Sequence, residues 1–254
     1  MQTRQMHDTA CWQPISDASL STQDLFRKRH GRYTVEIADT EETHPMTQLH
    51  FDEAAATWDE QPRRIAVAKA IGEKILEEAH PTKDMDVLDY GCGTGLLGLF
   101  LLPHVRSITG ADNSAGMLDV LRKKIAEGSF DNMKAIRLDL EHGPCPADRY
   151  NMIVVGMAMH HIADLDRVLR AFHQMLAPDG VLCLADLDSE PGTFHGPEIA
   201  GSVHHNGFDR TQLKAQLAEV GFTRANDTTA TSIRKPTATG KEEDFPVFLI
   251  VARR

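Results

Sequence analysis

The densest chemical signal in this sequence is the run Val87-Leu-Asp-Tyr-Gly-Cys-Gly-Thr-Gly95, an acid followed by glycines at alternate positions. Glycines let a backbone approach a ligand closely and take conformations that a side chain forbids. Between a strand and a helix, such a turn aims backbone N–H groups and a helix N-terminus into the crevice at the strand's end. Twenty-one positions after Gly91 stands Asp112, where a site of this kind places an acid to accept hydrogen bonds from ribose hydroxyls. The pairing points to a ligand containing a nucleoside. The glycine spacing is not the G-x-G-x-x-G that serves a pyrophosphate, and Asp89 at the mouth of the turn suits a cationic amino group better than a phosphate.

A second group of residues could act on another molecule. His160-His161 and the later set Asp186, Asp188, Glu190, His195, His204 and His205 are the candidates. Histidine near neutral pH takes a proton from an incoming hydroxyl, amine or thiol. The alternative for each is local packing. Asp186, Asp188, His195 and His205 could also converge on zinc or iron, but their spacing fits no metal template, so no metal is expected.

The elements that must carry these residues follow from periodicity. Ile65, Ala68, Ile71, Ile75, Leu76 and Ala79 describe an amphipathic helix, ended by His80-Pro81. Asp86 to Tyr90 reads as a buried strand, 96–102 as an apolar helix closed by Pro103, and Val105 to Ala111 as a second strand. Ser114 caps a helix bearing Met117, Leu118, Leu121 and Ile125; Ala135 to Leu138 and Tyr150 to Gly156 are further strands. Asp164 caps a helix with Val168, Leu169, Phe172, Met175 and Leu176; Pro178-Asp-Gly180 turns into the strand Val181 to Leu187. Strands alternating with helices of this length mean a parallel sheet. The tail departs from that: a helix over Asp209 to Val220 is followed by strand-like runs at 222–233 and 246–252, with a polar loop holding Pro236, Gly240 and Lys241–Asp244 between them. Two strands in succession predict a hairpin at one sheet edge. Residues 1–47 are polar, with a basic cluster Arg27-Lys28-Arg29-His30 and an acidic Glu41-Glu42, and read as an extension that is partly ordered or forms a lid; 48–254 is the main domain. Trp58 reads as core, with a lid as the alternative.

Composition narrows the function classes. The chain has 254 residues and a net charge of −10, a poor balance for binding nucleic acid or anionic membranes, and neither is expected as a partner. The longest apolar run, Leu96 to Leu102, is far short of the roughly 20 residues of a spanning helix. The first residues lack the apolar core of a secretory leader, and Asp8, Asp17 and Asp24 argue against a transit peptide. Cys11, Cys92, Cys145 and Cys183 form no C-x-x-C and read as reduced thiols in a cytoplasmic protein.

S-adenosylmethionine carries an ammonium and a sulfonium and no phosphate, which suits the glycine turn and Asp89. With that, the set of motifs resembles class I S-adenosylmethionine-dependent methyltransferases, of the small-molecule branch that includes quinone-biosynthesis-like enzymes. Val87–Gly95 resembles the family's first motif and Gly110–Leu118 its second; Arg137–Leu140, Tyr150–Ile162 and Leu176–Leu182 resemble the motifs of the later strands. The resemblance implies an α/β, Rossmann-like, doubly wound sheet of seven strands in order 3-2-1-4-5-7-6, strand 7 antiparallel, with helices on both faces. It implies a cofactor site of Asp89, Gly91, Cys92, Gly93, Gly95, Asp112, Asn113, Met117, Asp139, Leu140, Gly156 and Met157. Asp112 would hold the ribose, Asp139 and Leu140 the adenine with Asn113 or Met117 beside the ring, and Asp89 the methionine amino group, directly or through water. The acceptor would be a small-molecule O, N, S or C nucleophile, met by His160, His161, His195 or His205 as base or contact. The fourth-strand end reads Gly156-Met157 where many relatives carry Asp or Asn, and the N/D-P-P-Y/F motif of nucleic-acid amine methylation is missing. A monomer or homodimer is expected. The rivals are a non-catalytic S-adenosylmethionine-binding interaction protein, a protein methyltransferase and, less well matched by the glycines, a nicotinamide dehydrogenase.

Overall fold

The computed structural model describes residues 26–29, 32–35, 46–196, 199–237 and 240–254. The chain divides into two compact units, Met1–Thr43 and His44–Arg254. In the first, Phe26–Arg29 and Arg32–Val35 form an antiparallel hairpin, with Phe26 opposite Val35 and Arg29 opposite Arg32. Arg27, Lys28 and Arg29 of the basic cluster therefore lie on a strand, which periodicity had not marked. His30, Glu41-Glu42, Cys11 and the acids Asp8, Asp17 and Asp24 lie outside the described residues.

The second unit holds a seven-stranded sheet. Its strands are β1 (Asp86–Tyr90), β2 (Ser107–Asp112), β3 (Met133–Arg137), β4 (Tyr150–Gly156), β5 (Leu176–Leu187), β6 (Thr223–Pro236) and β7 (Glu242–Arg253). They lie in the order β3-β2-β1-β4-β5-β7-β6; the first five are parallel, and β7 runs antiparallel to both neighbours. This is the expected topology. Successive side chains along the strands enter opposite cores. Leu88, Ile153, Val155, Leu182 and Leu184 meet Val168, Leu169 and Phe172 of α5 (Leu165–Met175) and Leu213 and Leu217 of α6 (Arg210–Val220). Val87, Met152, Val154, Val181 and Cys183 meet α2 (Pro62–Ala79), α3 (Leu96–Leu101) and α4 (Ala115–Gly128) through Ile71, Ile75, Leu97, Leu101, Leu118 and Leu121.

The caps sit where the sequence puts them. Ser114 Oγ accepts from Met117 N–H, Asp164 from Arg167 N–H and Asp209 from Gln212 N–H, each at about one hydrogen-bond length. His80 leaves α2 in a left-handed conformation, φ 49°. The boundaries differ in four places. β5 starts at Leu176 rather than Val181, so it takes in the expected turn Pro178-Asp-Gly180 and the last residue expected of the helix before it. β2 starts at Ser107 rather than Val105, because Val105 closes the short turn Leu102–His104. β3 is shifted two residues toward the N-terminus. The edge hairpin is longer than expected: the supposed loop residues Pro236 and Glu242–Asp244 pair in the ladder, with Arg234 opposite Asp244. An edge ribbon needs no apolar alternation where both faces meet water, so polar residues concealed it. Nor did periodicity mark α1 (Met46–Ala54) or the 3₁₀ turn Ala55–Glu60, which precede α2.

Candidate active site

The glycine turn is built from backbone. Gly91 and Cys92 N–H both donate to the Ala111 carbonyl, at 2.8 and 3.1 Å, which ties the turn to the end of β2. Gly91 has φ +67°, and a Cβ there would stand 2.5 Å from that of Ala158. Asp112 closes the other side: Oδ2 accepts from Gly93 N–H at 2.8 Å and Oδ1 from Ser114 N–H at 2.9 Å. A carboxylate has about four acceptor positions, so lone pairs remain for a diol. Asp89 is 1% exposed, and its Oδ2 has no partner. Burial, aided by the charge of Asp112, pushes its pKa up to about 7.

Asp89, Gly91, Cys92, Gly93, Asp112, Asn113, Met117, Asp139, Gly156 and Met157 all line one cavity of about 500 Å³. Asp139 is on the wall but closes its own turn, accepting from Glu141 N–H, His142 N–H and His142 Nδ1. Two expected residues do not line the cavity. Leu140 is a core residue: its N–H donates to the Tyr90 hydroxyl, its carbonyl accepts from Arg167, and Leu138 takes the place on the wall. Gly95 serves packing, since a Cβ there would meet Leu121 at 2.4 Å.

The opposite end of the cavity is made of side chains. After β4, the turn Met159–His161 presents His160 and His161, and the loop after β5 brings His195 against them, with ring centroids 4.2, 4.9 and 5.4 Å apart. One nitrogen from each lies within 4.8 Å of the others. Asp186, fully buried at the end of β5, accepts from His160 Nδ1–H at 2.7 Å. The Ser202 carbonyl accepts from His161 Nδ1–H at 2.9 Å. Both partners are acceptors, so each ring keeps its Nε2 lone pair for the interior. His195 Nε2 is buried without a partner. Burial and the neighbouring His160 lower the pKa of His161 to about 3 and that of His195 to about 4, so both are neutral at pH 7.

The later acids, whose convergence with His195 and His205 was not expected, separate by task. Asp188 forms a two-point pair with Arg210, at 2.6 and 2.7 Å. Glu190 Oε2 accepts from the N–H groups of Gly192, Thr193 and Phe194, which shapes the loop that carries His195. His205 is turned away: its Nε2 bonds the Ile162 carbonyl at 2.9 Å, its ring lies on Phe208, and it does not line the cavity. Its contribution is backbone, since His204 and His205 N–H donate to the His160 carbonyl and steady that turn.

A third part covers the site: for Trp58 the sequence favours core, with a lid as the alternative. His50, Phe51, Trp58, Gln61, Arg63 and Arg64 cover the cavity. Trp58 is therefore half-buried in the cover rather than in the core, with the Arg64 guanidinium 3.5 Å over its ring. Phe51 stands edge-on to His161, centroids 5.1 Å apart. The cover is latched by two acids. Asp52 accepts from Ser114 Oγ and, at 2.8 Å, from Gly116 N–H at the start of α4; Asp59 accepts from Thr94 Oγ1 and pairs with Lys124. Composition carries no sign of such latches, because a single Asp among polar residues reads as surface.

Comparison with known proteins agrees with this geometry. A family model described as a methyltransferase domain matches residues 59–225. An uncharacterized methyltransferase of Schizosaccharomyces pombe is 30% identical over 63% of this chain and 72% of its own length. A demethylmenaquinone methyltransferase of Listeria monocytogenes is 29% identical over 41% of this chain; the match spans less than half, 45%, of that relative. Among solved structures, a DhpI complex with SAH superposes with a TM-score of 0.62 at 18% identity, covering 82% of this chain and 95% of that one. Among the described residues, no helix is long and apolar enough to cross a membrane.

Proposed function

The chain belongs to this methyltransferase-domain family, and on that premise we propose that it passes the methyl group of S-adenosylmethionine to a small molecule bearing an O, N, S or C nucleophile. The observation that carries the reading is one cavity of about 500 Å³ with the glycine turn at one end, the histidines at the other and a latched cover between. An acceptor must fit inside it beside the cofactor, which favours a small molecule over a protein side chain presented on a surface. The quinone-type relative points the same way.

In this reading Asp112 accepts from the ribose hydroxyls, Leu138 and the Asp139 turn bound the adenine with Asn113 and Met117, and Asp89 faces the ammonium. The glycine turn and Met157 hold the methionine part. Methyl transfer is an in-line displacement at carbon activated by the sulfonium, so the protein's work is near-attack positioning. His160, His161 and His195 meet the acceptor. His161 and His195, neutral at pH 7, accept a hydrogen bond or proton from it, and Asp186 orients the His160 ring beside them. We place this work in the cytoplasm.

The test is direct. The protein is incubated with methyl-labelled S-adenosylmethionine and host extract, and small molecules are separated from macromolecules. Label among the small molecules is expected; label on protein or nucleic acid overturns the acceptor class.

A further inference from the structure

One proton acceptor needs one imidazole. This cavity holds three whose nitrogens face one another within 4.8 Å. Ring nitrogens that face one another at such range, with nothing between them, repel through their lone pairs. The supports behind the rings are of one kind. A carboxylate takes the Nδ1–H of His160 and a backbone carbonyl takes that of His161. These are the partners that orient imidazoles as metal ligands and fix the Nε2 lone pair toward the ion. The third nitrogen, His195 Nε2, is buried with no partner, an arrangement that is unfavourable if nothing occupies the centre. Its loop is nonetheless held in place by Glu190, and Lys235 donates to the Phe194 carbonyl beside it.

We propose that His160, His161 and His195 bind a divalent transition-metal ion of the zinc class, with its remaining position open to the cavity. The donor set decides the class. Imidazole nitrogens suit zinc, iron, cobalt and nickel, whereas magnesium and calcium want oxygen. Among the described residues no thiolate competes, since Cys92 is in the glycine turn, Cys183 in the core and Cys145 beside the Ala171 carbonyl of α5. Three protein ligands and an open place make the catalytic rather than the structural kind of zinc site. With zinc–nitrogen bonds of about 2.0–2.1 Å, the nitrogens close to roughly 3.4 Å apart, so the rings draw inward.

The inference rests on the methyltransferase reading and deepens it: it names the acceptor as a hydroxyl or thiol, and the histidines hold the ion instead of taking the proton themselves. Bound at the open position, the acceptor gives its proton to solvent. Its oxygen or sulfur then forms the bond to the methyl carbon, and the carbon–sulfonium bond breaks with its electron pair passing to sulfur. The products are the methylated acceptor and the neutral thioether of the spent cofactor.

The experiment uses the full chain without a histidine tag, stripped by a chelator and titrated with cobalt(II) chloride alone. Uptake is read by equilibrium dialysis and by the visible ligand-field bands. One ion per chain, displaced by zinc, is expected. His195→Ala, on a loop, should fold as judged by circular dichroism and lose at least 100-fold in cobalt affinity. Asp186→Asn should lose about 10–100-fold, the usual effect of a residue behind a ligand. His104→Ala, on the exposed turn after α3, should bind as the parent does. Absence of uptake by the stripped parent, or uptake unchanged in His195→Ala, overturns the proposal. Calorimetry with S-adenosylhomocysteine on the stripped protein separates the two readings. Cofactor bound with no cobalt site leaves the methyltransferase and removes the metal; a cobalt site with no cofactor binding does the reverse.

Discussion

The two ends of the cavity are built on opposite plans. At the glycine turn the shape is set by main chain: Gly91 and Cys92 donate to one carbonyl, and Asp112 gathers Gly93 and Ser114. All of this spans residues 89–114, one strand–turn–helix–strand unit. At the histidine end, side chains from positions 160, 161, 186 and 195 and a carbonyl at 202 meet only because β4 and β5 lie side by side. Main-chain geometry leaves a local mark in sequence, in glycines and caps. Convergent side chains leave none beyond their residue types. One end should therefore be brittle to any added atom, and the other tolerant of shape but not of lost nitrogen.

The sharpest way to break that contrast is Gly91→Ala. The new Cβ meets Ala158 at a left-handed φ of +67°. Strain and overpacking together are expected to cost about 2–6 kcal/mol, seen as a fall in thermal stability and loss of S-adenosylhomocysteine binding. A variant that binds normally would show that the turn is not held by shape. At the other end, His160→Ala should lower turnover about 10²–10⁴-fold while cofactor affinity by calorimetry changes little. Equal losses in both would mean the ends are not separate. Asp112→Ala strands two backbone N–H groups, each bond to a charged acceptor being worth about 1.5–3 kcal/mol. Cofactor affinity should fall about 100-fold or more, and retained affinity would remove the ribose assignment.

A pH experiment sharpens the comparison further. Asp89 has a folded pKa raised to about 7. The folded state without cofactor thus holds a proton that the unfolded state gives up from about pH 4, and stability is lost as pH rises through 7. An ammonium arriving beside Asp89 favours its ionised form, so binding near pH 6 should release a proton. Calorimetry in buffers of different ionisation enthalpy measures that release; its absence would take the ammonium away from Asp89. His161 has the opposite sign. Its pKa is lowered to about 3, so protonation favours the unfolded state and stability falls as pH drops below the ordinary histidine value of 6.5. The smallest effect belongs to His205→Ala: about 1 kcal/mol of stability through the lost bond to the Ile162 carbonyl, with turnover near the parent's. A large fall in turnover would restore it to the acceptor wall.

Legibility in the sequence follows the same division. The alternation of strands and helices, the caps at Ser114 and Asp164 and the glycine turn at Gly91 were readable because each depends on residues close in sequence, whereas the sheet order came from the family resemblance alone. Leu140 and Gly95 were misassigned for a common reason: a motif gives the neighbourhood but not which way a side chain points. Leu140 turns inward because Tyr90 holds its N–H, and Gly95 is glycine for the sake of Leu121. His195 was readable as a candidate only, since its place depends on Glu190 folding the loop under it. A lid was the alternative at Trp58, but the latches of the cover left no mark, because Asp52 and Asp59 act at a distance of many residues on Gly116 and Thr94.

That cover has a kinetic consequence. Its aromatic side rests on His161 through Phe51, and its acidic side is fastened to Thr94 and Lys124 beside the glycine turn. One segment is thus a shared door for both substrates. It cannot swing away from one end without loosening the other, so neither spent cofactor nor methylated product leaves while the door stays shut. Both reactants must be inside together, which makes the kinetics sequential rather than ping-pong. Opening that segment breaks the Asp59–Lys124 pair, so we expect turnover to quicken with added salt before binding begins to suffer; steady-state rates that do not change with salt would show that this pair does not limit turnover.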